Sequence, residues 1–209
     1  MNEKMIFGLG ILATGLVLGT GALWLNMNKG DDAERFAGCN AGVVAGGTET
    51  MGGPFTLTNQ TGTRVTDAQV FDKPSILYFG YTFCPDVCPM DVARNSDATE
   101  ILTDAGRDVQ SVFITVDPAR DTPQALEMFA GNIDPQMVAL TGSLEETDAV
   151  SRAWRNYYKI NDDGTDYYLV DHATNSYLVL PEYGTVAFFR RDLEAEDMAE
   201  RVACLMDAA

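Results

Sequence analysis

Ser75-Ile76-Leu77-Tyr78-Phe79-Gly80-Tyr81-Thr82-Phe83-Cys84-Pro85-Asp86-Val87-Cys88-Pro89 joins an apolar run to a pair of cysteines, and the fold turns on how this stretch is read. Ser75 to Phe79 lacks polar alternation, as in a strand buried on both faces of a sheet. From Val87 to Ala105 apolar residues recur at helical spacing: Met90, Val92, Ala93, Ala98, Ile101 and Leu102. The cysteines therefore fall where a core strand feeds a helix.

Working outward, Val109 to Val116 predicts a second buried strand. Thr122 to Ala130 predicts a helix, with Thr122 as N-cap and Pro123 in its first turn. Val138 to Leu140 is a short strand. Ser143 opens another helix, and Glu146 three residues on completes a capping box; that helix carries Leu144, Val150, Trp154 and Tyr157. Ser176–Leu180 and Thr185–Phe189 flank Pro181-Glu182-Tyr183-Gly184, a hairpin with a turn signal. Leu193 to Met206 predicts a closing helix. Strands alternating with helices, then a hairpin, then a helix, describe an α/β mixed sheet flanked by helices. The order is thioredoxin-like.

Upstream, Pro54 to Thr58 alternates as a short strand and Asn59 to Gly62 reads as its turn. Residues 29–50 are polar and glycine-rich and read as a linker. Met5 to Asn28 carries no charge over 24 residues. A hydrocarbon core of about 30 Å takes roughly 20 helical residues to cross, so this run predicts an N-terminal transmembrane helix. Trp24 fits the headgroup level, and Gly15 and Gly19 offer a close-packing face. A cleaved signal peptide is the alternative, but its apolar core is shorter, about 7–15 residues. The division is an anchor over 1–28, a linker over 29–50 and a domain over 51–209.

The chain holds 31 acidic and 14 basic residues, a formal charge of −17. That balance argues against nucleic acid, whose binding takes clustered Lys and Arg, and against docking of the soluble part on anionic lipid.

Cys84 and Cys88 sit at a helix start, where free amides and the dipole favour thiolates. With Cys88 in the first turn, both can project to one side. Four readings compete. Buried structural cysteines fit poorly with two flanking prolines, Pro85 and Pro89, at a strand end. A dithiol oxidoreductase usually spaces its cysteines by two residues, not three. Structural zinc takes four protein ligands. Two or three soft ligands suffice for copper. His172, the only histidine, lies in Val170-Asp171-His172-Ala173-Thr174, read as a polar loop before the Ser176 strand. In a thioredoxin-like fold that loop faces the cysteines. It also lacks the proline usual in thioredoxin-like oxidoreductases, which weakens the redox reading.

Gly52 to Leu57, Tyr78 to Pro89, Phe113 to Pro123, Leu140-Thr141-Gly142 and Asp171-His172 together resemble the Sco/SenC family, over residues 52–190. The resemblance implies a thioredoxin-like fold with an inserted hairpin. It implies copper, as Cu(I) or Cu(II), one ion held by Cys84, Cys88 and His172. It implies a copper chaperone, with cytochrome c oxidase subunit II and a copper donor protein as partners. Reduction of the binuclear copper site, and sensing of copper or redox state, remain alternatives. The chain is thus expected to be a carrier, with thiol–disulfide reductase activity open. Asp117 and Asp121 match acidic family positions, with a structural or partner-docking role. A monomer is expected. The short tail before the apolar run, without an Arg- and Ser-rich presequence, points to a bacterial inner membrane with the domain in the periplasm.

Cys39 and Cys204 lie outside that core. Four cysteines in an exported protein suggest even pairing, and a Cys39–Cys204 disulfide would tie the linker to the closing helix. Loop closure gives about 4–5 kcal/mol for so long a loop. A second metal site is the alternative, without a nearby histidine.

Overall fold

The computed structural model describes residues 35–43, 51–162 and 164–209. The apolar run at 5–28 lies outside them, as does most of 29–50. Among the described residues no helix is long and apolar enough to cross a membrane.

In chain order, β1 (Gly42–Val43) follows a 3₁₀ turn at Ala37–Cys39. β2 (Thr56–Asn59) and β3 (Arg64–Thr66) form a hairpin leading into the single-turn α1 (Asp67–Val70). β4 (Ser75–Gly80) then feeds α2 (Val87–Asp104). β5 (Gln110–Thr115), α3 (Pro123–Ile133), β6 (Val138–Thr141) and α4 (Leu144–Ala153) follow. β7 (Tyr158–Asn161) and β8 (Leu169–His172) make a separate hairpin. β9 (Ser176–Leu180), β10 (Gly184–Phe189) and α5 (Ala195–Ala208) close the chain.

Among the described residues, eight strands form one mixed sheet in the order β1-β10-β9-β4-β5-β6-β2-β3. β4, β5 and β6 run parallel, and the flanking pairs are antiparallel. Every residue of β4 is buried, as its unbroken apolar run requires. One face packs Ala98 and Leu102 of α2 with Met198, Val202 and Leu205 of α5. The other packs Leu126 and Ala130 of α3, Val150 of α4 and Trp154 just beyond it. This is the thioredoxin-like architecture read from the order of elements.

The caps match their sequence signals. The Thr122 hydroxyl accepts the Ala125 amide, and Pro123 occupies the first turn of α3. Ser143 and Glu146 close a reciprocal capping box on α4; such a cap is worth about 1 kcal/mol.

Four expectations need correction. Met90 and Ile101 of α2 are exposed, 60% and 39%. Val92, Ala98 and Leu102 are buried as expected, and the rest of the buried face of α2 is Cys88 with the polar Asp91, Asn95 and Thr99. Hydrophobic periodicity misses it because its polar members are buried with partners: Asp91 accepts from the Tyr78 hydroxyl, and Asn95 from Ser176. On α4, Leu144 is exposed. Tyr157 is also exposed and lies beyond the helix, which ends before Arg155 turns into the left-handed region at φ 52°. Inside the stretch read as a linker, residues 35–43 pack on the domain. Phe36 is 1% exposed and meets Tyr183 edge-on, and β1 pairs with β10. His172 lies not in a loop but at the end of β8, whose ladder with β7 is too short and too polar to register as a strand signal.

Candidate metal centre

Three elements supply the site. Cys84 ends the connection from β4, closed by a Cys84 amide bond to the Tyr81 carbonyl at 3.2 Å. Cys88 lies in the first turn of α2, and its amide donates to the Cys84 sulfur at 3.3 Å. That bond uses one of the free N–H groups of a helix start. His172, half-buried at the end of β8, brings Nε2 to 3.2 Å from the Cys88 sulfur. The three ligand atoms lie within 4.8 Å of one another.

Backbone and rings hold this arrangement. Nδ1 of His172 is 2.8 Å from the Ala173 carbonyl. A carbonyl only accepts, so Nδ1 is the donor, and in the neutral ring Nε2 keeps its lone pair for the sulfurs. Tyr78 and Tyr81 meet the imidazole edge-on at 6.0 and 5.9 Å between centroids. Gly80 makes room for Cys88: a Cβ there would stand 2.9 Å from Phe113, 3.0 Å from the Cys88 sulfur and 3.0 Å from Tyr78.

The two thiols differ in charge. The hydrogen bond from Cys88 pulls Cys84 down to about 3, with backbone bonds at Asp86 and Cys88 adding to it against burial. The same bond, followed by burial, pushes Cys88 up. The pair is therefore one thiolate and one thiol. Two soft sulfurs and an imidazole suit a copper ion in low coordination, and the buried Cys84 stands in the chain between the exposed Phe83 and Pro85.

Asp117 and Asp121 are both fully buried, which removes the docking half of their expected role. Asp121 accepts from the Thr82 amide at 3.0 Å, the Thr82 hydroxyl at 2.6 Å and the Thr115 hydroxyl at 2.5 Å. It pins the loop two residues before Cys84. Asp117 accepts from Arg120 at 2.5 Å and from the Tyr168 hydroxyl at 2.8 Å, on the segment leading into β8. Sequence reasoning missed Arg120, Tyr168 and Asp91; Asp91 meets Tyr78 13 residues away and Arg120 meets Tyr168 across 48, and no motif marks either pairing. Cys39 and Cys204 are joined in a disulfide and take no part in this cluster, while Cys84 and Cys88 are free thiols.

The SCO1/SenC family model matches residues 44–207. SenC of Rhodobacter capsulatus is 46% identical over 177 residues, covering 85% of this chain and 80% of that protein. The mitochondrial SCO1 homolog 1 of Arabidopsis thaliana is 38% identical over 178 residues, and the chain spans only 52% of its length. The crystal structure of Arabidopsis thaliana ScoI with copper bound is 38% identical, with a TM-score of 0.72, covering 76% of this chain and 99% of that one.

Proposed function

The chain belongs to the SCO1/SenC family, and on that premise we propose that it is a copper chaperone in the assembly of cytochrome c oxidase. The observation that carries the reading is the convergence of Cys84, Cys88 and His172 within 4.8 Å on the fold of a relative solved with copper bound. The cargo is one copper ion held by the three residues. Cys84 offers a thiolate at once, Cys88 joins on losing its proton, and Nε2 of His172 completes the set. The ion can then pass by stepwise ligand exchange from a copper donor protein and on to the binuclear site of oxidase subunit II. Residues 5–28 would anchor the chain in a bacterial inner membrane, with the domain in the periplasm acting as a monomer.

The thiolate–thiol pair favours a second activity at the same site, reduction of a partner's disulfide. The Cys84 thiolate attacks one sulfur of that disulfide and the other leaves as a thiolate. The Cys88 sulfur, losing its proton, then displaces the first. Two electrons pass to the partner, and a Cys84–Cys88 disulfide remains, unable to hold copper.

The test is transfer. The copper-loaded full chain is mixed with the copper-free binuclear-site domain of subunit II, and copper is assayed in each after separation. The chaperone reading expects most of the copper in the acceptor. Copper retained on the chain at every acceptor concentration overturns it.

A further inference from the structure

The hairpin that carries His172 is not part of the main sheet. Among the described residues β7 and β8 pair only with each other. What fixes β8 against the cysteines must therefore be side-chain contact. Burial of Val170, the Ala173 amide on the Tyr157 carbonyl at 2.8 Å and Tyr158 on Asp148 at 3.0 Å each hold the hairpin from its own side. Tyr81 of the cysteine loop touches β8 directly, edge-on to His172 and hydrogen-bonded to the Val170 backbone, and among the described residues one charged side chain reaches the hairpin and the loop together. Arg120 follows β5 and is 11% exposed at its side chain. Its Nε donates to Asp117 at 2.5 Å, and its Nη1 donates to the Tyr168 carbonyl at 2.9 Å and the Asp166 carbonyl at 3.3 Å. Its guanidinium lies 3.6 Å from the ring centre of Tyr168, 4.9 Å from that of Phe83 and 5.6 Å from that of Tyr81. Phe83 precedes Cys84, and Tyr168 precedes β8. The planar cation thus stands between the segment bearing one ligand and the segment bearing another. Asp117 completes the arrangement by accepting from both Arg120 and Tyr168. A guanidinium suits this place because it stacks on rings and donates in its own plane at once.

We propose that Arg120 is the positioning residue that sets His172 against Cys84 and Cys88, so that copper affinity depends on it although its hydrogen bonds go to none of the three. The proposal rests on the copper reading above and adds which contact makes the third ligand available. Holding a ligand in place from one contact further out typically governs metal affinity by about 10–100-fold.

The experiment is a double-variant cycle on the full chain, with Cu(I) affinity measured against a chelator of known strength. Arg120→Met weakens binding by about 10–100-fold. His172→Ala also weakens it, and adding Arg120→Met to His172→Ala causes no further loss. Arg120→Lys keeps a charge beside Asp117 without the planar fork, and it restores stability but not affinity. Wild-type affinity in Arg120→Met, or independent losses in the double variant, overturns the proposal. A second readout needs no metal. In the copper-free protein, Arg120→Met speeds amide exchange over Tyr158–Asn161 and Leu169–His172 and leaves β4 and β5 unchanged. Unchanged exchange in the hairpin, or an even rise across the sheet, overturns the proposal whether or not the chain binds copper. A hairpin loosened by Arg120→Met, in a protein whose wild-type chain takes no copper, would uphold the positioning role and remove the copper reading instead. Should Arg120→Met fail to fold because Asp117 is left unpaired, Arg120→Met combined with Asp117→Asn removes that charge and carries the same expectations.

Discussion

Replacing Asp121 with Asn tests how the cysteine loop is held, and its signature is a pH dependence. Asp121 is fully buried beneath that loop and accepts three hydrogen bonds, two from Thr82 and one from Thr115. Burial pushes its carboxyl up to about 6, and the threonine bonds only partly offset this. In the unfolded chain an aspartate titrates near 3.9. The native state therefore keeps a proton that the unfolded state has already lost between about pH 4 and pH 6. Stability from this group is fully present below about pH 4 and is lost as pH rises through about 6. A rise of about two units at about 1.4 kcal/mol each gives a loss of about 3 kcal/mol. Asparagine does not titrate, so the other acids cancel in the comparison. Urea unfolding of the copper-free protein at pH 4 to 8 is the assay. The stability of the wild type minus that of Asp121→Asn should fall by about 3 kcal/mol between pH 4 and pH 7 and then level off. A difference that stays flat, or that grows with pH, refutes the account of a carboxyl held mainly by burial.

Gly80→Ala should destabilise the fold by about 1–3 kcal/mol, since its Cβ meets two packed rings and a sulfur; urea unfolding reads the loss, and Cu(I) competition should show weaker binding as Cys88 is displaced. Replacing Cys39 and Cys204 with Ser opens a loop 165 residues long and should cost about 5 kcal/mol on loop-closure grounds, measured by unfolding under non-reducing conditions. Copper binding at pH 8 should release about one proton, because Cys84 is already a thiolate and Cys88 is not. Calorimetry in two buffers of different ionisation heat counts it, and a release of two would contradict the asymmetry.

Much of this is legible in the amino-acid sequence. Ser75 to Phe79 announces a strand covered on both faces because burial there leaves no room for alternation. Thr122-Pro123 and Ser143 with Glu146 announce helix starts because the caps use neighbouring residues, and local chemistry leaves local signals. The cysteines and the histidine were found as residues, and the fold supplied their meeting. What escaped notice is held by contacts between distant segments. Asp91 and Asn95 sit on the buried face of α2 only because Tyr78 and Ser176 await them. The β7–β8 hairpin has too few apolar residues to show as strands, and its place depends on Arg120, some fifty residues earlier in the chain. The packing of Phe36 and the pairing of β1 with β10 were hidden by a glycine-rich setting that reads as linker.

The central claim is that Cys84, Cys88 and His172 form one site for one copper ion. Cu(I) titration of the full chain, reduced at Cys84 and Cys88 and read against a competing chelator, tests it directly when repeated with His172→Ala. The account predicts one ion per wild-type chain and a loss of more than about tenfold in affinity when the imidazole is removed. Unchanged affinity in His172→Ala, or binding that survives replacement of both cysteines, would contradict it.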